Sequence, residues 1–176
     1  MGRAMQRVLV IGSPGAGKST LAHALARRTG LPLHHLDRMH WLPGWVERDR
    51  AEGLEAVRQV LAQDRWIIDG NYGSSLPLRL TRADTVVWLD YPTHLCLGRA
   101  LKRWWAYRGR SRPDMTEGCD ERLDPEFLLY IARFRSEWRH RNAAALAGFD
   151  GTLVRLANPA ATDKWLAALQ PLSPNA

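Results

Sequence analysis

The sequence predicts an α/β fold: three layers, α/β/α, around a five-stranded parallel sheet. Two observations carry the prediction. Short segments that are apolar at nearly every position recur along the chain, the pattern of strands buried on both faces. Longer segments between them space apolar residues three and four apart, the pattern of helices packed on a sheet.

Residues 6–11 form the first strand. Residues 18–28 follow as a helix with Leu21, Ala22, Leu25 and Ala26 on one face, and 32–36 as a short second strand. The segment "ERDRAEGLEAVRQVLAQ", 47–63, reads as helix, while "WIID", 66–69, and "TVVWLD", 85–90, are the third and fourth strands. After Pro92, "THLCLGRALKRWWAYR" is helical, and "GRSRPDMTEGCDER" is polar and turn-rich, without period. Asp124 and Pro125 form an N-cap and first-turn pair that opens a helix to about Ala147. The fifth strand is "TLVRL", 152–156; a last helix spans 160–169, and "PLSPNA" is a frayed tail. No internal repeat interrupts this order.

A chain of 176 residues, 45% hydrophobic with eight tryptophans, has material for one core, so 1–176 is expected to be a single domain. It lacks the charged, apolar and small-residue order of a signal peptide, and no apolar run approaches a membrane span, which points to the cytoplasm. Cys96 and Cys119 form no CxxC and stand near no spaced histidine pair, so reduced thiols are expected rather than a disulfide framework or a zinc site. The net charge is +7, and 22 of the 25 basic residues are arginine; the lysines are Lys18, Lys102 and Lys164. Nucleic acid, acidic membrane and small anions all suit such a charge, so its placement has to decide.

Residues 12–20, "GSPGAGKST", lie between the first strand and the first helix. Gly12, Gly15 and Gly17 let the backbone turn its N–H groups toward phosphate oxygens, aided by the helix N-terminus. With Ser13, Pro14, Ala16 and Thr20 they frame Lys18, expected on the β- and γ-phosphates, and Ser19, expected on Mg²⁺. The pattern GxxxxGK[ST] in a strand–loop–helix context is a P-loop. Asp69 closes a buried strand, where a carboxylate holds magnesium through water or merely starts the "DGN" turn.

Further motifs follow in order: "LD" at 36–37, "IIDGNYG" at 67–73, "LDYP" at 89–92 and "RALKR" at 99–103. With the P-loop, they resemble the adenylate kinase and shikimate kinase group of small P-loop kinases. More narrowly, "HLDRMHWLPGW", "WIIDGNYG", "ADTVVWLDYP" and "RGRSRPDM" resemble bacterial adenylate-kinase-related proteins called DNA topology modulation proteins, over residues 6–140. The resemblance implies a nucleoside monophosphate kinase-like P-loop NTPase fold with a short arginine-rich lid near 105–123, ATP and Mg²⁺ as cofactors, and a small acceptor.

In adenylate kinases the "DG" that ends a strand precedes "FPR", whose arginine binds the acceptor phosphate. Here Asp69 and Gly70 match, but Asn71, Tyr72 and Gly73 replace the tripeptide; Arg79 or Arg82 substitutes from farther along, or is a solvated loop charge. Arg99 and Arg103 share a helix face at the expected base of the lid. Residues 91–113 contain no acid, while Arg99, Lys102, Arg103, Arg108, Arg110 and Arg112 repel one another unless an anion sits among them. Such guanidinium groups stabilise a migrating phosphoryl group; the alternative is a solvated basic face. Arg122 and Arg133 fall where adenylate kinases carry further phosphate-binding arginines.

Asp37 ends the second strand, at the sheet edge where the resembling shikimate kinase-like enzymes hold the acceptor with an Asp, which implies a carboxylate that takes a hydroxyl proton or hydrogen-bonds the acceptor. His40, Trp41 and Trp45 follow it, as stacking surfaces for a base or sugar or as core. His34 and His35 face opposite ways and read as structural. "LANP", 156–159, is placed to wrap adenine through backbone groups, as in this kinase group. The leading function is an ATP- and Mg²⁺-dependent phosphotransferase with Lys18, Asp37, Arg99 and Arg103 at the chemistry and Asp37, Trp41, Gly70, Asn71, Arg79 and Arg133 around the acceptor. The alternatives are a nucleic-acid-associated ATPase and a protein that binds ATP without transfer. No helix-turn-helix or basic tail favours nucleic acid.

Overall fold

The computed structural model describes residues 5–169, so the expected frayed tail at 171–176 lies outside the described residues. In chain order the elements are β1 (Arg7–Gly12), α1 (Lys18–Thr29), β2 (Leu33–His35), α2 (Leu36–His40), β3 (Trp41–Leu42), β4 (Val46–Glu47) and α3 (Arg50–Leu61). Then come β5 (Trp66–Asp69), α4 (Leu76–Leu80), β6 (Thr85–Leu89), α5 (Thr93–Tyr107), α6 (Pro125–Glu137), α7 (Arg139–Leu146), β7 (Thr152–Leu156) and α8 (Pro159–Ala168). β2, β5, β1, β6 and β7 lie side by side in that order, all parallel, as the apolar segments predict.

β1 is central, with Val8 opposite Ile67 on one side and Thr85 on the other. Its alternate residues feed two cores: Val8 and Val10 pack with Leu21 and Leu25 of α1, Cys96 and Ala100 of α5 and Ile131 of α6. Leu9 and Ile11 pack on the opposite face with Leu36, Val57, Leu76 and Leu146. Because every strand runs the same way, Gly12, His35, Asp69 and Leu89 come out along one edge, where ligands bind in open α/β sheets.

Four local readings are corrected. Asp37, expected to end the second strand, lies in α2, because β2 stops at His35 and the chain turns into a short helix at Leu36. The helix expected over 47–63 begins at Arg50, because the Asp49 side chain accepts from the N–H groups of Ala51 and Glu52 and caps it there. Residues 41–47 instead form a small antiparallel hairpin, β3–β4, too short to show a period of two. The helix expected from Asp124 to Ala147 does start at the Asp124 cap, yet it breaks at Trp138 into α6 and α7.

Candidate functional site

The donor loop leaves β1 and enters α1. Gly15 has φ 80°, and a Cβ there would lie 2.3 Å from the Cys96 carbonyl oxygen, so only glycine lets the loop pass beneath α5. Lys18 folds its ammonium back into the loop and donates to the carbonyls of Gly12 (3.0 Å) and Ser13 (3.2 Å). Burial lowers its pKa, and the carboxylates of Asp37 and Asp69 act against that shift. An ammonium held only by carbonyls gains charge-assisted bonds when phosphate oxygens replace them.

The Ser19 hydroxyl donates to Asp114 Oδ2 at 2.9 Å. Asp69 is engaged elsewhere: its Oδ1 lies 2.7 Å from Nδ1 of His35, and both side chains are buried. Asp114 is the first acid after the acid-free stretch, and sequence reasoning missed it because 95 residues separate it from Ser19.

Arg99 donates to the Ala16 carbonyl at 3.0 Å, which fastens α5 to the donor loop. Arg103 donates to Glu121 Oε1 at 3.1 Å, and Arg112 pairs with Glu121 Oε2 at 2.7 Å and with Asp114 at 3.0 Å. Of the six cations expected to need a bound anion, Arg103 and Arg112 thus find carboxylates just beyond the stretch, while Arg99 holds a carbonyl. Burial lowers the pKa of Arg103, Arg112 adds to the effect, and Glu121 opposes it. Residues 116–120 dock on the hairpin through Thr116 Oγ1 to the Trp41 carbonyl (2.6 Å), Cys119 Sγ to that of Leu42 (3.2 Å), Gly44 N to that of Gly118 (3.0 Å) and Trp45 Nε1 to that of Asp120 (3.0 Å).

One cleft of about 1210 Å³ runs from the donor loop, past Asp37 and Asp69, to α6 and α7. The Tyr72 hydroxyl donates to Asp37 Oδ1 at 2.7 Å; burial, and then Asp37, raise its pKa and keep it a donor. Asn71 Oδ1 accepts from the Gly12 N–H at 3.1 Å, so the loop after β5 steadies the donor loop. Gly70 has φ 123°, and a Cβ there would meet Leu36 Cβ at 2.9 Å. Trp41 and Trp45 meet edge to face, their centroids 5.4 Å apart.

Residues 8–68 match the model of the ATPase family associated with various cellular activities (AAA). No curated protein matches the chain. Among solved structures it is similar to a shikimate kinase from Bacteroides thetaiotaomicron, with TM-score 0.55, 20% identity, and 93% of this chain and 95% of that one covered. A shikimate kinase from Acinetobacter baumannii in complex with shikimate gives TM-score 0.55 at 15% identity over 92% and 89% of the chains. A sugar kinase from Janibacter sp. HTCC2649 gives TM-score 0.50 at 21% identity over 93% and 94%. The chain has the fold of the small P-loop kinases.

Within this kinase fold the remaining predicted residues separate into two groups. Gly15, Gly17, Lys18, Ser19, Asp37, Trp41, Asp69, Gly70, Asn71, Arg99 and Arg103 line the one cleft, and Thr20 stands exposed at its mouth. Arg79 does not. It is 0% exposed, donates from Nε to Ser75 Oγ (3.1 Å) and from its guanidinium to the carbonyls of Gly70, Asn71 and Tyr72, and so moulds the loop after β5. It is neither a solvated charge nor part of the cleft wall. Arg82 is spent on the Leu61 carbonyl at 3.1 Å, and Arg133 is exposed outside the cleft. Arg122 does line it, over the Trp45 ring at 5.4 Å. Asn158 of "LANP" caps α8 through Ala161 N at 2.8 Å. The sequence reading missed Phe127, Tyr130, Phe134, Trp138 and Asn142, a wall supplied by α6 and α7. Their three- and four-residue spacing marks a helix face without telling cavity from core.

Proposed function

We propose that the chain is an ATP- and Mg²⁺-dependent phosphotransferase acting on a hydroxyl of a small acceptor. The observation that carries this is a single cleft that holds the P-loop lysine, the carboxylate of Asp37 and the arginines of α5. In the reaction the acceptor hydroxyl oxygen bonds to the γ-phosphorus and the bond to the β–γ bridging oxygen breaks. ADP leaves with that electron pair, and the hydroxyl proton passes to Asp37. Tyr72 occupies Oδ1 of that carboxylate and leaves Oδ2 for the acceptor. Lys18 binds the β- and γ-phosphates once it exchanges its carbonyl partners, and Arg99 and Arg103 face the migrating group.

Ser19, Asp69 and Asp114 are hard oxygen donors of the kind magnesium takes, and they are the residues that would hold it. Held there, the ion would supply charge neutralisation to the triphosphate. The proposal includes a single domain with residues 105–123 as its lid, kinship with adenylate-kinase-related proteins of the DNA topology modulation group, and a place in the cytoplasm. The nucleic-acid alternative gains no support from four of the arginines, since Arg103 and Arg112 pair with Glu121, and Arg139 and Arg155 with the buried Asp90.

The test is incubation with ATP, Mg²⁺ and a panel of nucleosides, nucleotides and hydroxylated metabolites, read by mass detection. One phosphorylated product, lost in Lys18→Ala, is expected. No product with any acceptor, together with tight salt-sensitive DNA binding, would overturn the proposal.

A further inference from the structure

The far end of the cleft has a chemistry unlike its donor end. Three rings of α6 and the residue that follows it lie there together: Tyr130 meets Phe134 with centroids 5.8 Å apart and Trp138 at 6.1 Å, both edge to face. Trp138 also reaches the loop after β5, since a Cβ on Gly73 would sit 3.7 Å from its Cζ3. One turn on, Asn142 is 8% exposed and lines the cleft.

The anion-binding groups are as informative. Arg79 and Arg82 are committed to backbone carbonyls and Arg133 is outside the cleft. Among the described residues Arg141, which is exposed, lies over Trp138, 4.8 Å from the ring centroid, and the partly buried Arg103 lies over Phe127 at 5.6 Å. Around Tyr130, Phe134 and Trp138 the cleft therefore offers aromatic surface and one amide, with Arg141 as an exposed cation beside them. Aromatic faces bind the π-face of any planar ring, and an amide presents a donor and an acceptor side by side, as a heteroaromatic edge requires.

We propose that the acceptor is a nucleoside-like molecule: a planar heteroaromatic ring against Tyr130, Phe134 and Trp138, its polar edge on Asn142, joined to a hydroxyl-bearing part that reaches Asp37. The inference rests on the phosphotransferase reading for the role of Asp37, whereas the ring subsite stands on its own geometry.

The experiment is calorimetric titration of the whole chain, with ADP and Mg²⁺ present, using adenosine, uridine, D-ribose, shikimate and adenosine 5′-monophosphate. At least one nucleoside is expected to bind tenfold or more tightly than ribose, which has the hydroxyls without the base. Asn142→Ala and Trp138→Ala are expected to weaken it about tenfold, Trp138→Phe to retain it within about threefold, and ADP affinity to stay unchanged. Ribose or shikimate binding as tightly as the nucleosides, no nucleoside binding at all, or unchanged affinity in Asn142→Ala and Trp138→Ala overturns the ring subsite. Adenosine and its 5′-monophosphate both binding no more tightly than ribose overturns it as well. Product analysis separates the two readings. A nucleoside that binds without ATP-dependent phosphorylation leaves the subsite and removes the phosphotransferase, while ATP-dependent phosphorylation of ribose or shikimate does the reverse.

Discussion

The two ends of the cleft are built by different means. The P-loop end is a contiguous segment that offers backbone N–H groups, Lys18 and Ser19, set by glycines that permit its path. The end proposed for the acceptor is lined from α2, the hairpin, the loop after β5, α6 and α7, and it is made largely of side chains. Backbone recognition depends on a short local pattern and tolerates little change. Side-chain recognition across distant segments can be respecified residue by residue, which is how one fold serves different acceptors.

The sharpest break in the comparison is at Lys18. Its replacement by alanine is expected to lower turnover about 10³-fold or more, because the transition-state charge loses its nearest cation; steady-state assay of ATP-dependent product formation checks this. Asp37→Asn tests the opposite end, with an expected loss of about 10²-fold in kcat and no change in affinity for a non-hydrolysable ATP analogue. An equal loss of nucleotide affinity would show that the two ends are not separable.

How much of this could be read from the chain follows the same division. The P-loop, the five strands and the Asp124 cap are local signals, and each is where the pattern of neighbouring residues places it. Arg79 was ambiguous because a lone arginine in a loop looks the same whether it meets solvent or three carbonyls. Asp114 and Glu121 were unreadable for another reason: their partners are Ser19, Arg103 and Arg112, and only the folded segment after α5 brings them together. The aromatic wall showed its helical period and hid which side faced a cavity.

Arg79→Met probes whether the acceptor loop depends on its buried clamp. Leaving the carbonyls of Gly70, Asn71 and Tyr72 without donors is expected to cost about 2–3 kcal/mol in urea denaturation, and to lower acceptor affinity more than nucleotide affinity. The smallest expected effect compares Asp114→Asn with Asp69→Asn. Because Asp114 is the residue that accepts the Ser19 proton, its substitution is expected to raise the Mg²⁺ concentration for half-maximal nucleotide binding about tenfold. Metal-free binding should be unaffected. A larger effect from Asp69→Asn would assign that part to the strand carboxylate.

The four hydrogen bonds between residues 116–120 and the hairpin have a kinetic consequence. The segment that covers the donor loop cannot lift away without breaking those bonds or carrying Trp41 and Trp45 with it. In the proposed reaction the two would therefore move together, and a single opening event, instead of two independent ones, is expected to set the pace of turnover.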